Sequence, residues 1–220
     1  MAVFEPNLTS KLLVRAVEGL DLDATVEWAE LGCGSGWISE QLSKSTPLDL
    51  DRAILSDVSP EAVAEASARL RPFSGDVTIR VAPDAKHLAP QSLDLIVCDI
   101  AAIAEVYAEF YSWYDGVPAN CGLDGLDNLR RAVPEAALAL RDGASLVVPV
   151  LSLSRYELQV DLLKAWFGEV SISERTEWPL PASPALDALL EQRIMKDHLE
   201  LPGWRYNRRM AWTAVATCQR

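Results

Sequence analysis

The chain has 220 residues, of which 50% are hydrophobic, and its mean hydropathy is +0.07. These values suit one compact globular domain with a full-sized core. Thirty-two acidic residues against 20 basic ones give a formal net charge of −12, and this excess disfavours tight binding to nucleic acid, which depends on lysine and arginine. Four widely spaced cysteines without a Cys-x-x-Cys pair predict neither a zinc site nor a disulfide framework.

The N-terminal composition and the length of the apolar runs bear on the cellular location of the protein. The N-terminus lacks a basic stretch followed by an apolar core, and no apolar run approaches the roughly 20 residues that a membrane-spanning helix needs. We therefore expect a soluble, cytoplasmic protein with no membrane partner.

Helix-like and strand-like patterns alternate along the chain, which predicts a parallel sheet covered by helices on both faces. One helix is expected within residues 1–22. Seven strands are expected, at 25–31, 53–57, 77–81, 93–98, 143–151, 170–176 and 210–218. The predicted fold is therefore an α/β three-layer sandwich in a single domain over 1–220. A proline-containing excursion at 179–208 separates the last two strands and could act as a lid.

The segment Glu30-Leu31-Gly32-Cys33-Gly34-Ser35-Gly36 joins the first strand to the next helix. Gly32, Gly34 and Gly36 remove side chains where the backbone must turn tightly and approach a ligand, as in nucleotide-binding loops. By itself such a loop could also bind NAD, or could only allow close packing.

Acidic residues follow the first four predicted strands, at the sheet edge where open α/β folds bind ligands. Asp57, about twenty residues beyond the loop, is suited to accept hydrogen bonds from both hydroxyls of a ribose. The alternative is that Asp57 only caps the helix that follows. Asp84 comes after the third strand, where an aspartate in a turn is equally ordinary, and Asp99 ends the fourth.

Several segments together resemble the class I, Rossmann-like methyltransferases that use S-adenosylmethionine. The resemblance is nearest to the branch that methylates a glutamine of release factors and to its small-domain relatives. The matching segments are Val3-Phe4-Glu5-Pro6 with Thr9, Glu30 to Gly36, Asp57 to Pro60, Leu93 to Asp99, and Gly122 to Asp127 with Arg130-Arg131.

The resemblance implies a cofactor, S-adenosyl-L-methionine, and a site for it. It implies a Rossmann-like sheet with an antiparallel last strand. The glycine-rich loop after the first strand would hold the methionyl part of the cofactor. The residues implied around the cofactor are Glu30, Gly32, Gly34 and Gly36 at the methionyl part, Asp57 and Val58 at the ribose, Asp84 and Ala85 at the adenine amine, and Asp99 and Ile100 beside the methyl donor.

The sequence departs from that branch after the fourth strand. The branch carries an Asn or Asp, two prolines and an aromatic residue there, a platform that grips a planar amide or amine. This chain has Asp99-Ile100-Ala101-Ala102. The departure disfavours methylation of a glutamine or adenine, so a protein acceptor becomes the alternative and a small molecule the first expectation.

Candidate catalytic and substrate residues follow the fourth strand. Asp99 is the best-placed base for a proton shed by an amine or alcohol, although it could instead only bind the donor's amino group. Tyr107, Tyr111 and Tyr114 could wall a substrate pocket, or they could be a helix face packed on the sheet. Arg205, in a basic cluster at 204–209, could bind an anionic substrate.

These features predict methyl transfer from S-adenosylmethionine to a nitrogen or oxygen atom of a small molecule, with no metal. Two alternatives stay open. One is a protein methyltransferase, and the other is a cofactor-binding scaffold or non-methylating enzyme on the same fold.

Overall fold

A computed structural model describes residues 3, 5–111, 121–182, 187–188, 191–192, 203–205 and 208–220. The helices in these ranges are α1 (Leu8–Glu18), α2 (Trp37–Ser45), α3 (Pro60–Leu70), α4 (Glu105–Phe110), α5 (Asp127–Ala139) and α6 (Tyr156–Trp166), with a 3₁₀ turn at Leu50–Arg52. The strands are β1 (Trp28–Leu31), β2 (Ala53–Asp57), β3 (Thr78–Val81), β4 (Leu93–Cys98), β5 (Leu140–Leu151), β6 (Glu169–Ile172), β7 (Thr176–Pro179), β8 (Gly203–Arg205) and β9 (Arg208–Gln219).

The described strands form one sheet in the order β3-β2-β1-β4-β5-β9-β6. The first five of these strands are parallel, and β9 runs antiparallel to both β5 and β6. The predicted α/β fold, with a mostly parallel sheet of seven main strands and an antiparallel last strand, is confirmed.

The sheet also contains two short strands beyond the seven expected, since β7 and β8 both pair with β9. The sequence predicts one strand over 170–176, but the structure divides that region. Ile172 pairs with Ala216 and Thr176 with Thr213, so one strand advances four residues while β9 advances three. That extra residue interrupts the pairing in the manner of a β-bulge.

Each face of the sheet has its own hydrophobic core, because successive strand residues point to opposite faces. Trp28, Leu55 and Leu95 lie in a cluster with apolar residues of α1, α2 and α3. Ala29 and Ile96, each next to one of these residues in sequence, lie in a second cluster with α4, α5 and α6. The helices therefore form two layers with the sheet between them.

Two serines in the sequence are predicted to cap helices: Ser59, which proline follows, and Ser154, which has Glu157 three residues later. Helix α3 begins in this way, since the Ser59 hydroxyl accepts a hydrogen bond from the Ala62 amide at 3.3 Å and proline occupies the first helical position. The prediction that Ser154 caps α6 is wrong. The buried Ser154 hydroxyl donates instead to the Leu151 carbonyl at 3.0 Å, and the residue before α6 is Arg155.

The turn at residues 122–126 fixes the start of α5. Gly125 has φ +80°, and a β-carbon there would lie 2.6 Å from the Ala104 amide nitrogen and 2.9 Å from Cβ of Ser154. The Asp124 carbonyl accepts a hydrogen bond from the Arg155 amide at 3.0 Å. These contacts join the turn to α4 and α6, so the turn determines where the first residues of α5 lie.

We expect Gly125→Ala to lower the free energy of unfolding by about 2–4 kcal/mol, because it combines a left-handed backbone with a steric clash. Gly143→Ala is the matched control. Gly143 has φ +79°, and a β-carbon added there would meet nothing within 4 Å, so this change should cost only about 1 kcal/mol. Chemical denaturation of both variants measures the difference, and equal losses would contradict the packing role of Gly125.

Candidate functional site

Three carboxylates converge on one cavity at the carboxyl edge of the sheet. Glu30 lies in β1, Asp57 ends β2, and Asp99 directly follows β4. Because β1 pairs with both β2 and β4 in parallel, these side chains come together, and all of them line a cavity of about 860 Å³. That volume lies in the upper part of the range for small-molecule sites.

Two glycines of the loop are required by packing of the protein itself. A β-carbon on Gly32 would lie 2.7 Å from the Asp99 carbonyl oxygen, and one on Gly36 would lie 3.1 Å from Cα of Ala66 in α3. Both residues have positive φ, at +76° and +77°. Gly32 lines the cavity, whereas Gly36 is not among its lining residues. The structure thus assigns Gly36 to the contact between α2 and α3 rather than to the cavity.

The loop and the end of β2 are joined through Asp57. One carboxylate oxygen accepts a hydrogen bond from the Gly34 amide at 2.9 Å, and the other accepts one from the Ser59 amide at 2.8 Å. Each oxygen has a further lone pair, so the carboxylate can still accept hydrogen bonds from a ligand in the cavity. Val58, the next residue, is 45% exposed and also lines the cavity.

Glu30 is fully buried. The Ser39 hydroxyl donates a hydrogen bond to Oε2 of Glu30, while Oε1 has no hydrogen-bond partner among the described residues. Burial raises the pKa of Glu30 to about 8, and the nearby carboxylates of Asp99 and Asp57 act in the same direction. At neutral pH the carboxyl group is therefore largely protonated until a cation or hydrogen-bond donor reaches it.

Asp99 is held by the N-terminal segment. The Ser10 hydroxyl in α1 donates a hydrogen bond to Oδ2 of Asp99 at 3.0 Å. Burial raises the pKa of Asp99 to about 6, and the hydrogen bond from Ser10 opposes that rise. Pro6 and Thr9 also line the cavity, so the start of the chain forms one of its walls.

Of the two residues predicted to bind the adenine, both in the loop after β3, one lines the cavity and the other does not. Asp84 lines the cavity. Ala85 is buried and does not line it, and its amide donates a hydrogen bond to the carboxylate of Glu135 in α5 at 2.9 Å. The Ala85 amide is therefore engaged by the protein, which leaves Asp84 as the residue of this pair that faces the cavity.

Of the four predicted substrate residues, the three that the structure describes do not line the cavity. Tyr107 and Tyr111 are buried in the hydrophobic cluster beneath α4, and neither lines the cavity. Their burial agrees with the alternative that they form a helix face packed on the sheet. Arg205 in β8 forms an ion pair with Glu177 and also lies outside the lining. Tyr114 falls outside the described residues.

The predicted residue Ile100 lines the cavity. Four other lining residues are not among those that the sequence predicts, and they are Ser10, Asn128, Arg131 and Trp178. They come from α1, α5 and β7, and only Arg131 belongs to a segment that the resemblance singles out. No local pattern marks the others, because their position depends on contacts between distant parts of the chain.

Three further observations concern the described residues. No group of three His, Cys, Asp or Glu side chains there is arranged to hold a metal ion. The four buried cysteines form no disulfide; they are Cys33, Cys98, Cys121 and Cys218. Within the same residues, no helix combines the length and apolar character needed to cross a bilayer.

The strand order, with its reversed β9 between β5 and β6, defines the fold: it is the Rossmann-like fold that methyltransferase structures also have. No protein-family model and no curated protein matches the sequence. Solved structures do match. The N-methyltransferase NodS from Bradyrhizobium japonicum WM9 is 18% identical, with 96% of this chain and 94% of that chain covered and a TM-score of 0.51.

Two further solved structures are informative. Phosphoethanolamine N-methyltransferase 2 from Haemonchus contortus, in complex with phosphomonomethylethanolamine and S-adenosylhomocysteine, is 13% identical with a TM-score of 0.59. The match covers 97% of this chain but only 53% of that one. The [4+2]-cyclase SpnF is 16% identical with a TM-score of 0.56, and 96% of this chain and 81% of that chain are covered. At these identities the likeness establishes the fold and not the reaction.

The buried state of Glu30 gives a test in the absence of any ligand. Its pKa is raised from 4.5 to about 8 in the folded protein, so its contribution to stability is fully present below pH 4.5 and is lost as the pH rises towards 8. We expect Glu30→Gln to remove this loss, which amounts to up to about 1.4 kcal/mol for each pH unit in that window.

Urea denaturation at pH 5 and pH 8 measures the effect as the difference between wild type and variant. The exposed Glu5→Gln is the control at the same cavity. A wild type and a Glu30→Gln variant with the same dependence on pH would show that Glu30 ionises at its ordinary pKa.

Proposed function

We propose that the protein is an S-adenosylmethionine-dependent methyltransferase that acts on a nitrogen or oxygen atom of a small-molecule acceptor. The observation that carries the proposal is the Asp57 carboxylate, which is bound by the Gly34 amide of the glycine loop and faces the same cavity as Glu30 and Asp99. The single domain over 1–220 and the cytoplasmic location belong to the same proposal.

The acidic residues of the cavity suit a ligand that has cationic groups and also hydroxyl groups, since carboxylates attract cations and accept hydrogen bonds. Of the charged residues that are described as lining it, five are acidic, namely Glu5, Glu30, Asp57, Asp84 and Asp99, and one is basic, Arg131. S-adenosylmethionine carries a sulfonium and an ammonium group, and when bound it supplies an activated methyl group. Glu30 would bind the ammonium group through its unpartnered oxygen, and Asp57 would accept hydrogen bonds from the ribose.

The remaining chemistry asked of the protein is alignment and the removal of a proton. Alignment of nucleophile and methyl group supplies most of the rate in such a displacement. Asp99 lines the cavity with a pKa of about 6, so above that pH it is a carboxylate able to accept a proton from an amine or alcohol. Ser10 would act as a positioning residue, because its hydroxyl orients the carboxylate.

A second candidate function has a specific observation in its favour. The same fold occurs in the [4+2]-cyclase SpnF, and the residues that follow Asp99 here are Ile100, Ala101 and Ala102, which carry no catalytic group. A cofactor-binding protein without methyl transfer would bind S-adenosylhomocysteine but form none. A protein acceptor would instead be revealed by a radiolabelled methyl group retained on protein rather than on an extractable metabolite.

Calorimetric titration with S-adenosylmethionine and S-adenosylhomocysteine tests the cofactor assignment, with NAD as the control ligand. We expect both sulfur ligands to bind and NAD not to. Asp57→Ala removes the ribose acceptor and Gly34→Asp adds a charged side chain at φ +51°, so each should weaken binding at least about 30-fold.

Asp76→Ala, an exposed aspartate outside the cavity, is the control and should bind normally. Unchanged affinity in both site variants would refute the assignment of the cofactor site.

A separate prediction concerns Asp99. We expect Asp99→Asn to bind S-adenosylhomocysteine within about threefold of wild type but to lose about 10²–10⁴-fold in turnover, the usual range for a general base. In the wild type, the single-turnover rate constant should fall below pH 6 as the carboxylate is protonated. Ser10→Ala removes the hydrogen bond that lowers this pKa, so it should shift the fall to higher pH.

The measurement is single-turnover methyl transfer from pH 5 to 9. A variant that loses affinity for the cofactor while retaining its turnover would make Asp99 a cofactor contact rather than a base.

A further inference from the structure

The cavity contains a charged residue that has no role in the proposed function given above. Arg131 in α5 is the only basic residue among those described as lining it, and its side chain is exposed there. No described carboxylate lies within 4.0 Å of its guanidinium. The neighbouring Arg130, by contrast, is paired with Asp124 and Asp127. In a chain with a net charge of −12, an arginine without an acidic partner beside a ligand cavity is a candidate anion-binding group.

The orientation of Arg131 is fixed by Asn128, one turn earlier on the same helix face. Nδ2 of Asn128 donates a hydrogen bond to the Ala101 carbonyl at 3.1 Å, and Oδ1 accepts one from Nη2 of Arg131 at 2.6 Å. A carbonyl can only accept, so the amide nitrogen must face Ala101, and the amide oxygen must therefore face the arginine. This arrangement anchors the guanidinium to the segment that follows Asp99.

One bond to Asn128 uses one of the five N–H groups of a guanidinium. The remaining donors are sufficient for a carboxylate held through two parallel hydrogen bonds. Apolar residues that line the same cavity include Ala132, which follows Arg131 in α5, and Ala102, which follows the Ala101 carbonyl that Asn128 contacts. A ligand that suits these residues therefore combines an apolar body with one anionic group.

The electrostatics of the cavity allow such an anion. Burial raises the pKa of Glu30 to about 8, so near neutral pH this carboxyl group is largely protonated and the negative charge around the cavity is smaller than the number of carboxyl groups suggests. Binding of a cationic cofactor would reduce it further.

We propose that Arg131, oriented by Asn128, binds a carboxylate of the methyl acceptor, which makes the acceptor an organic acid with an apolar body. The proposal deepens the function given above and rests on it. It also replaces Arg205, which is paired with Glu177 outside the cavity, as the residue that recognises an anion.

The test uses the full chain saturated with S-adenosylhomocysteine. Phenylacetate, indole-3-acetate and hexanoate are each titrated beside the corresponding primary amide, which has nearly the same shape without the charge, and binding is followed by ligand-detected NMR. For wild type we expect the acids to bind at least about tenfold more tightly than their amides, as one charge-assisted contact allows.

Arg131→Gln should abolish that preference, and Asn128→Ala should reduce it by freeing the guanidinium. Arg130→Gln is the matched control on the same helix and should retain it. No preference for any acid in wild type, or a preference that survives in Arg131→Gln, would overturn the proposal.

A second titration distinguishes the carboxylate of an acceptor from the carboxylate of the cofactor as the group that Arg131 binds. S-adenosylhomocysteine contains a carboxylate, whereas 5′-methylthioadenosine lacks it. If Arg131→Gln weakened binding of the first ligand and not of the second, Arg131 would bind the cofactor and the proposal would be wrong. If wild type bound neither sulfur ligand but still preferred acids in the ligand-free form, the proposed methyltransferase function would fail while the anion site stood.

Discussion

The burial of carboxyl groups at the ends of adjacent parallel strands is the constraint on which the site depends. Parallel pairing of β1 with β2 and β4 brings Glu30, Asp57 and Asp99 to one edge. Removing Glu30 and Asp99 from water disfavours their charged forms, and for Glu30 the neighbouring carboxylates add to that cost. Hydrogen bonds from Ser39 to Glu30 and from Ser10 to Asp99 reduce it, while two backbone amides donate to Asp57. One oxygen of Glu30 has no hydrogen-bond partner among the described residues, so a ligand that donates a hydrogen bond to it would lower this cost further.

The glycines of the loop mainly allow parts of the protein to pack closely, whereas the motif suggests that they approach a ligand. Gly32 allows the Asp99 backbone to approach β1, and Gly36 allows α3 to approach α2. The contact that connects the loop to a candidate ligand residue is made by the Gly34 backbone, which donates to Asp57. A glycine-rich loop can thus be required mainly by packing, even when it borders a binding cavity.

The fold leaves the reaction open, because it occurs in N-methyltransferases and in a cyclase. Under the proposed function, the side chains around Asp99 would decide the chemistry. The residues that follow Asp99 are Ile100, Ala101 and Ala102, whose side chains are apolar, so recognition of the acceptor would depend on other elements. The N-terminal segment with Ser10 and the start of α5 with Arg131 are two described parts of the cavity wall that can supply polar contacts.

Local patterns in the sequence determined the element order, the glycine loop and the acids after the strands. These features could be predicted because the alternation of strands, the helical repeat and the turn chemistry of glycine and proline act over a few residues. They predicted the cap at Ser59 correctly, but they could not show that the Ser154 hydroxyl would turn back to Leu151. The sequence also left two alternatives open for the aromatic residues after Asp99, pocket wall or core.

Tertiary structure decided what local patterns could not, because the deciding contacts join residues far apart in the chain. Ser10 meets Asp99 across 89 positions, and Glu135 takes the Ala85 amide across 50. The burial of Tyr107 follows from the face that α4 turns to the sheet, and the cavity position of Arg131 follows from the turn that sets α5. Each of these outcomes depends on how helices and strands pack in three dimensions, and that packing leaves no short-range signal in the sequence.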